Sequence, residues 1–146
     1  MLRATIILLF ALLAIFSVTS ELAAQQPAGS NNAVTMQPVF ELRTYTTHEG
    51  RLDALIRRFR DHTTRLFERH GMVNVGYWVP QDSPLSANTL IYVLQHANRE
   101  AAVESWAAFR GDPEWQEAAR ASQEDGAIVD NVASVFMDPT DFSAIR

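Results

Sequence analysis

No cysteine occurs among the 146 residues, which excludes disulfides, a thiolate nucleophile and a lipid anchor on an N-terminal cysteine. Stability must therefore come from packing. Lysine is absent as well: all 12 cationic side chains are arginine, and 17 acidic residues outnumber them to give a formal net charge of −5. That balance supplies no broad positive field for phosphate backbones, so nucleic acid is excluded as a partner. No Gly-x-Ser-x-Gly elbow stands with His and Asp partners, which removes the usual serine-nucleophile arrangement.

No apolar run reaches the roughly 20 residues that a spanning helix needs. The one long run, residues 4–18, follows the positively charged start Met1-Leu2-Arg3 and gives way to Thr19-Ser20-Glu21. That layout is a secretory signal peptide. Leu22-Ala23-Ala24 approximates the small-residue cleavage site, with a cut after Ser20 as the alternative. The expected organisation is a signal peptide over 1–24, a linker over 25–37 and one domain over 38–146. The protein is then exported, to the periplasm or beyond the cell, with no membrane attachment after cleavage.

From Pro38 the pattern becomes that of a folded domain. Val39-Phe40-Glu41-Leu42-Arg43-Thr44-Tyr45 alternates with period two, placing Phe40, Leu42 and Thr44 on one face of a strand and Glu41, Arg43 and Tyr45 on the other. After Gly50, residues Leu52, Leu55, Ile56, Phe59, Thr63, Leu66, Phe67 and His70 recur as one stripe of a helix that Gly71 ends. A second strand is expected over 72–79, with Val73, Val75, Tyr77 and Val79 on one side. A loop follows over 80–86, then a third, nearly continuously apolar strand over 89–96. Asn98 caps a helix whose buried stripe is Ala102, Val103, Trp106 and Phe109, and Asp112-Pro113 starts another with Trp115, Ala118, Ala119 and Ser122 inward. Residues 132–137 supply the last strand.

This order is the ferredoxin-like split β-α-β-β-α-β unit, an α+β fold with helices on one face of a four-stranded antiparallel sheet. The other sheet face is left bare, and packing two such faces together is the economical way to cover it. A homodimer closing into an α/β barrel is the expectation.

Two particular words in the chain, Glu41-Leu42-Arg43-Thr44-Tyr45 and Asp112-Pro113-Glu114-Trp115, stand with the helix end Glu68-Arg69-His70-Gly71 and the run from Trp106 to Phe109. Together they resemble the NIPSNAP domain over residues 38–143. The resemblance implies the dimeric α/β-barrel fold, shared with small monooxygenases, haem-degrading enzymes and EthD-like proteins. It implies no particular reaction, since fold alone does not fix function.

Candidate ligand-binding residues follow from strand parity. If the helices claim the Phe40 and Leu42 face, Glu41, Arg43 and Tyr45 line the barrel interior. There Glu41 and Arg43, about 6.5 to 7 Å apart along the strand, either pair across the sheet or grip a ligand between them. Trp78, Tyr92 and His96 form a second group, readable as an aromatic-walled pocket or as core. His62 and His70 stand about 12 Å apart along one helix, too far to share an ion, and neither His48 nor His96 stands in a zinc or iron spacing, so no metal site and no cofactor are expected. The first helix carries Arg51, Arg57, Arg58, Arg60, Arg65 and Arg69 and the last two helices are acid-rich, which reads as solvated faces with weak ion pairs.

The reading that fits these features is an exported NIPSNAP-domain protein binding a small apolar or aromatic ligand inside a dimeric barrel. A cofactor-free monooxygenase or isomerase using Glu41 or His96 in the same cavity is one alternative. A protein-interaction module docking through its arginine-rich helix is the other.

Overall fold

A computed structural model describes residues 37–146. The signal peptide and linker expected over 1–24 and 25–37 lie outside the described residues, apart from Gln37. The elements run β1 (Val39–Thr47), α1 (Leu52–Arg58), a π turn (Phe59–Thr63), α2 (Thr64–Arg69), β2 (Val73–Trp78), β3 (Thr89–His96), α3 (Arg99–Gly111), α4 (Pro113–Ala121) and β4 (Val129–Met137). The four strands form one antiparallel sheet in the order β2-β3-β1-β4. This is the expected α+β split unit, with the helices on one face.

Local chemistry sets the element ends as the sequence indicates. The Asn98 side chain accepts from Ala101 N at 2.7 Å and that of Asp112 from Glu114 N at 2.8 Å, with Pro113 in the first turn. Gly71, at φ +77°, takes the left-handed conformation that lets the chain leave α2. α1, the π turn and α2 are one continuous helix in which the amide of Thr64 reaches back five residues to the carbonyl of Phe59.

The core lies between sheet and helices and is aromatic. Phe59 meets Tyr92 edge-on at 5.2 Å, Tyr77 stacks on Tyr92 at 5.3 Å, and Phe67 packs on Phe109 at 4.8 Å. Leu55, Leu66, Leu90, Leu94 and Ile128 fill the space around them.

Four expectations are corrected. The helices cover the Glu41, Arg43 and Tyr45 face of β1, so Phe40, Leu42 and Thr44 point to the bare side. The physical reason is that Tyr45 joins the aromatic core while Glu41 finds a full set of donors there. In β2 the pairing shifts between Asn74 and Gly76, and this irregularity puts Tyr77 in the core while Val73, half exposed, pairs from the other face. Val103 is 64% exposed rather than part of the α3 stripe. Arg58, absent from the expected stripe of the first helix, is buried.

Candidate functional site

The sequence candidates separate onto the two faces of the sheet. Glu41, Arg43, Tyr45, Tyr92 and His96 lie under the helices, whereas Trp78 pairs with Ile91 on the bare face and is 53% exposed. Cross-strand partners share a face, which fixes these assignments from the register alone.

Under the helices, Glu41 is the hub of a buried polar network. Its Oε1 accepts from Arg43 Nη1 at 2.7 Å and Ser134 Oγ at 2.6 Å; its Oε2 accepts from Trp106 Nε1 at 2.7 Å and lies 3.0 Å from His96 Nε2. Burial pushes the carboxyl up, but the bonds from His96, Ser134, Trp106 and Arg43 outweigh it and lower it from 4.5 to about 2. An ionised carboxylate only accepts, so His96 carries its proton on Nε2. The four donors occupy the carboxylate's acceptor positions and tie β1 to β3, β4 and α3. That is a clasp. It leaves Glu41 poorly suited to general-base work near neutrality.

Arg43 completes the clasp by lying over the Trp106 ring, its Cζ 4.3 Å from the centroid. Tyr45 and Tyr92, 5.6 Å apart, are core aromatics. Burial raises the Tyr92 hydroxyl well above its ordinary range, so it stays protonated. Trp106 and Ser134 join the network beyond the sequence candidates. A buried Trp needs an acceptor for its N–H, and that is the available signal for the first of them.

The bare face carries the other candidate site. Phe40, Leu42, Ile91, Val93, Val135 and Met137 line it across three strands, and Val135 is 55% exposed. At one end, a cavity of about 340 Å³ opens between Phe40, Val75, Trp78, Val93 and Met137, with the C-terminal residues Pro139, Thr140, Ser143 and Ile145 as its other wall. The Trp78 indole lies across Gly76, where a Cβ would meet its Cη2 at 2.5 Å; glycine is what lets the ring fold back over the sheet. Asp138, Thr140 and Ser143 supply the polar groups around otherwise apolar walls.

Along the outside, the first helix and the acid-rich pair do meet. Arg65 pairs with Glu114, Arg69 with Glu114 at 2.8 Å and Asp112 at 3.3 Å, and Arg51 with Asp125 at 2.6 Å. Each pair has at least one exposed partner, so water and salt screen the attraction and these pairs add little to stability. Among the described residues no group of three or more acidic or histidine side chains is placed to hold a metal ion, and no helix is long and apolar enough to cross a membrane.

A split four-stranded antiparallel sheet with helices on one face and the other face left open defines an α+β protein of the ferredoxin-like class. The NIPSNAP family model matches residues 40–144, and the chain belongs to that family. Solved structures with the same fold include a NIPSNAP family protein of unknown function from Agrobacterium tumefaciens, 21% identical over 76% of this chain and 96% of that one, with a TM-score of 0.66. A NIPSNAP-like domain protein from Burkholderia xenovorans is 18% identical, covering 74% of this chain and 90% of that one, at a TM-score of 0.64. No match was found among curated proteins.

Proposed function

We propose that this is an exported binding protein for a small apolar or aromatic molecule, held on the bare face of the sheet and enclosed when a second copy closes over that face. The observation that carries the proposal is the cavity between Trp78, Phe40, Val75 and Val93, whose volume of about 340 Å³ suits a ligand of one or two rings. Its walls offer apolar contact and its rim a few hydroxyls and one carboxylate, enough to orient a single polar substituent. Dimerisation is supported by Trp78, Val73 and Val135, each more than half exposed on the same face of the sheet. Export is supported by the charged start and apolar run of residues 1–18.

The site differs from the one the sequence suggests. Glu41, Arg43, Tyr45, Tyr92 and His96 support the sheet from behind, and Trp78 alone of the six lines the cavity. An acid–base enzyme working through Glu41 and His96 draws no support from this geometry, since both lie on the opposite face.

Titrating the purified protein with 2-naphthol, followed by calorimetry and native mass spectrometry, tests the reading. Saturable binding is expected at one molecule per chain, weakened at least about tenfold by Val93→Arg, which fills the cavity with a charged side chain. Equal binding by this variant, or none by the wild type across a panel of one- and two-ring compounds, would remove the proposal. Export is tested separately by cell fractionation with N-terminal sequencing of the recovered protein, where recovery from the cytoplasm with residues 1–20 retained would count against it.

A further inference from the structure

Arg58 is a buried cation without an anion. It is 6% exposed, and among the described residues no carboxylate lies within ion-pair distance of it. Its one side-chain hydrogen bond among those residues runs from Nη1 to Ser122 Oγ at 3.3 Å, and its Nε is buried with no partner. A guanidinium cannot shed its charge, so leaving its Nε–H unmet away from water, with no carboxylate beside it, is costly. Burial lowers its pKa accordingly, with Tyr45 and Tyr92 opposing. Its neighbour in the fold, Trp115, lies under the guanidinium at 5.4 Å and accounts for one face of the group only.

The same arginine lines a recess of about 210 Å³ between the first helix and α4, which Arg57 and His62 also line and where Asp61 supplies the single acidic group; the Ser122 hydroxyl beside it already donates to the Ala119 carbonyl at 3.0 Å. The π turn begins immediately after Arg58 and contains His62, and Thr63 Oγ1 closes it by donating to the Arg58 carbonyl at 3.1 Å. Such an insertion in a helix re-aims the residues at its ends and recurs at functional sites. The elements here are a pre-set arginine fork, a second arginine, a histidine and a hydroxyl around one small polar space.

We propose that this recess is a binding site for a small oxyanion, the carboxylate or phosphate group of a soluble ligand, gripped by the Arg58 guanidinium and assisted by Arg57 and His62, with Ser122 holding the Arg58 fork in place. The site is on the helix layer, apart from the sheet cavity, and stands or falls independently of it. Planar bidentate recognition of an oxyanion suits the arginine fork, and the shielding of Arg58 from water strengthens the bonds it makes.

The test titrates inorganic phosphate and, separately, succinate into the protein in Bis-Tris chloride at constant ionic strength, read by calorimetry. Binding of at least one anion above the sodium chloride control is expected; a tighter phosphate arm points to a phosphorylated ligand and a tighter succinate arm to an organic acid. Arg57→Ala should weaken binding several-fold and Asp61→Asn strengthen it by a factor of two or more, both at exposed positions where folding is not at issue. Arg58→Met should abolish binding while the unfolding temperature stays level or rises, because it removes an unpaired buried charge and keeps the aliphatic stem over Trp115. A merely structural arginine would instead lower the unfolding temperature on substitution and leave no anion to lose. Neither anion exceeding the chloride control, or binding indifferent to both Arg57→Ala and Asp61→Asn, overturns the proposal.

Discussion

Glu41 is a carboxylate buried beneath the helices, where four side-chain partners converge on its two oxygens. Its alternation with Leu42 and its proximity to Arg43 are readable, and the Arg43–Glu41 pair forms at 2.7 Å. The face it occupies is not readable, because both sides of β1 and β3 carry apolar residues: Leu90, Tyr92 and Leu94 on one, Phe40, Ile91 and Val93 on the other. Hydrophobicity alone favours Phe40 and Leu42 for the covered side; what decides is that one carboxylate can be buried cheaply where four donors converge on it. Glu41→Gln therefore leaves the shape and removes the charge, and should cost about 3 kcal/mol near neutral pH, given a carboxyl lowered from 4.5 to about 2. The folded pKa is depressed, so this contribution is present above the unfolded value of 4.5 and is lost as pH falls toward about 2. Urea unfolding of wild type and variant should show a gap near neutrality that closes over that window; a gap independent of pH would rule out the ionised clasp.

Among the elements, caps are plain and irregularities are hidden. Asn98 and Asp112-Pro113 announce helix starts because their side chains have one local use there, and both make the expected bonds. Asp112 also meets His70 Nε2 at 2.7 Å, joining α4 to the end of α2, which makes its word in the sequence more than a cap. Asp112→Ala should lower stability by about 1 to 2 kcal/mol, measured by thermal or chemical unfolding, and an unchanged midpoint would mean that neither bond matters in solution. The shift in β2 pairing and the π turn are hidden for a shared reason. Each inserts one residue into a regular pattern, leaving every local propensity intact while changing the facing of what precedes it. Gly76 is the clue in β2. In the first helix no residue marks the π turn: Arg58 precedes it and stands three places after the buried Leu55, on the same face.

For the whole molecule, element order alone carries the fold: a strand, a helix, two strands, a helix pair and a strand can cover only one face of their sheet. That a bare face remains is legible in the same order; which residues form it is not, and they exchange places with those beneath the helices. Phe40, Leu42, Val93 and Val135 stand where the expected parity puts Glu41, Arg43 and Tyr45, and the exchange turns a polar bare face into an apolar one. Apolar lining makes the case for both closure by a second copy and a ring-shaped guest, since the same surface serves each. Val135 lies on β4, at the edge of the sheet and over half exposed, so Val135→Glu places a charge on this face without disturbing the core beneath the helices. Sedimentation equilibrium of wild type and Val135→Glu in parallel is the most direct measurement of the central claim. The wild type should sediment at twice the chain mass and the variant at once; a wild type that remains a single chain at micromolar concentration, or a variant that dimerises equally well, would contradict it.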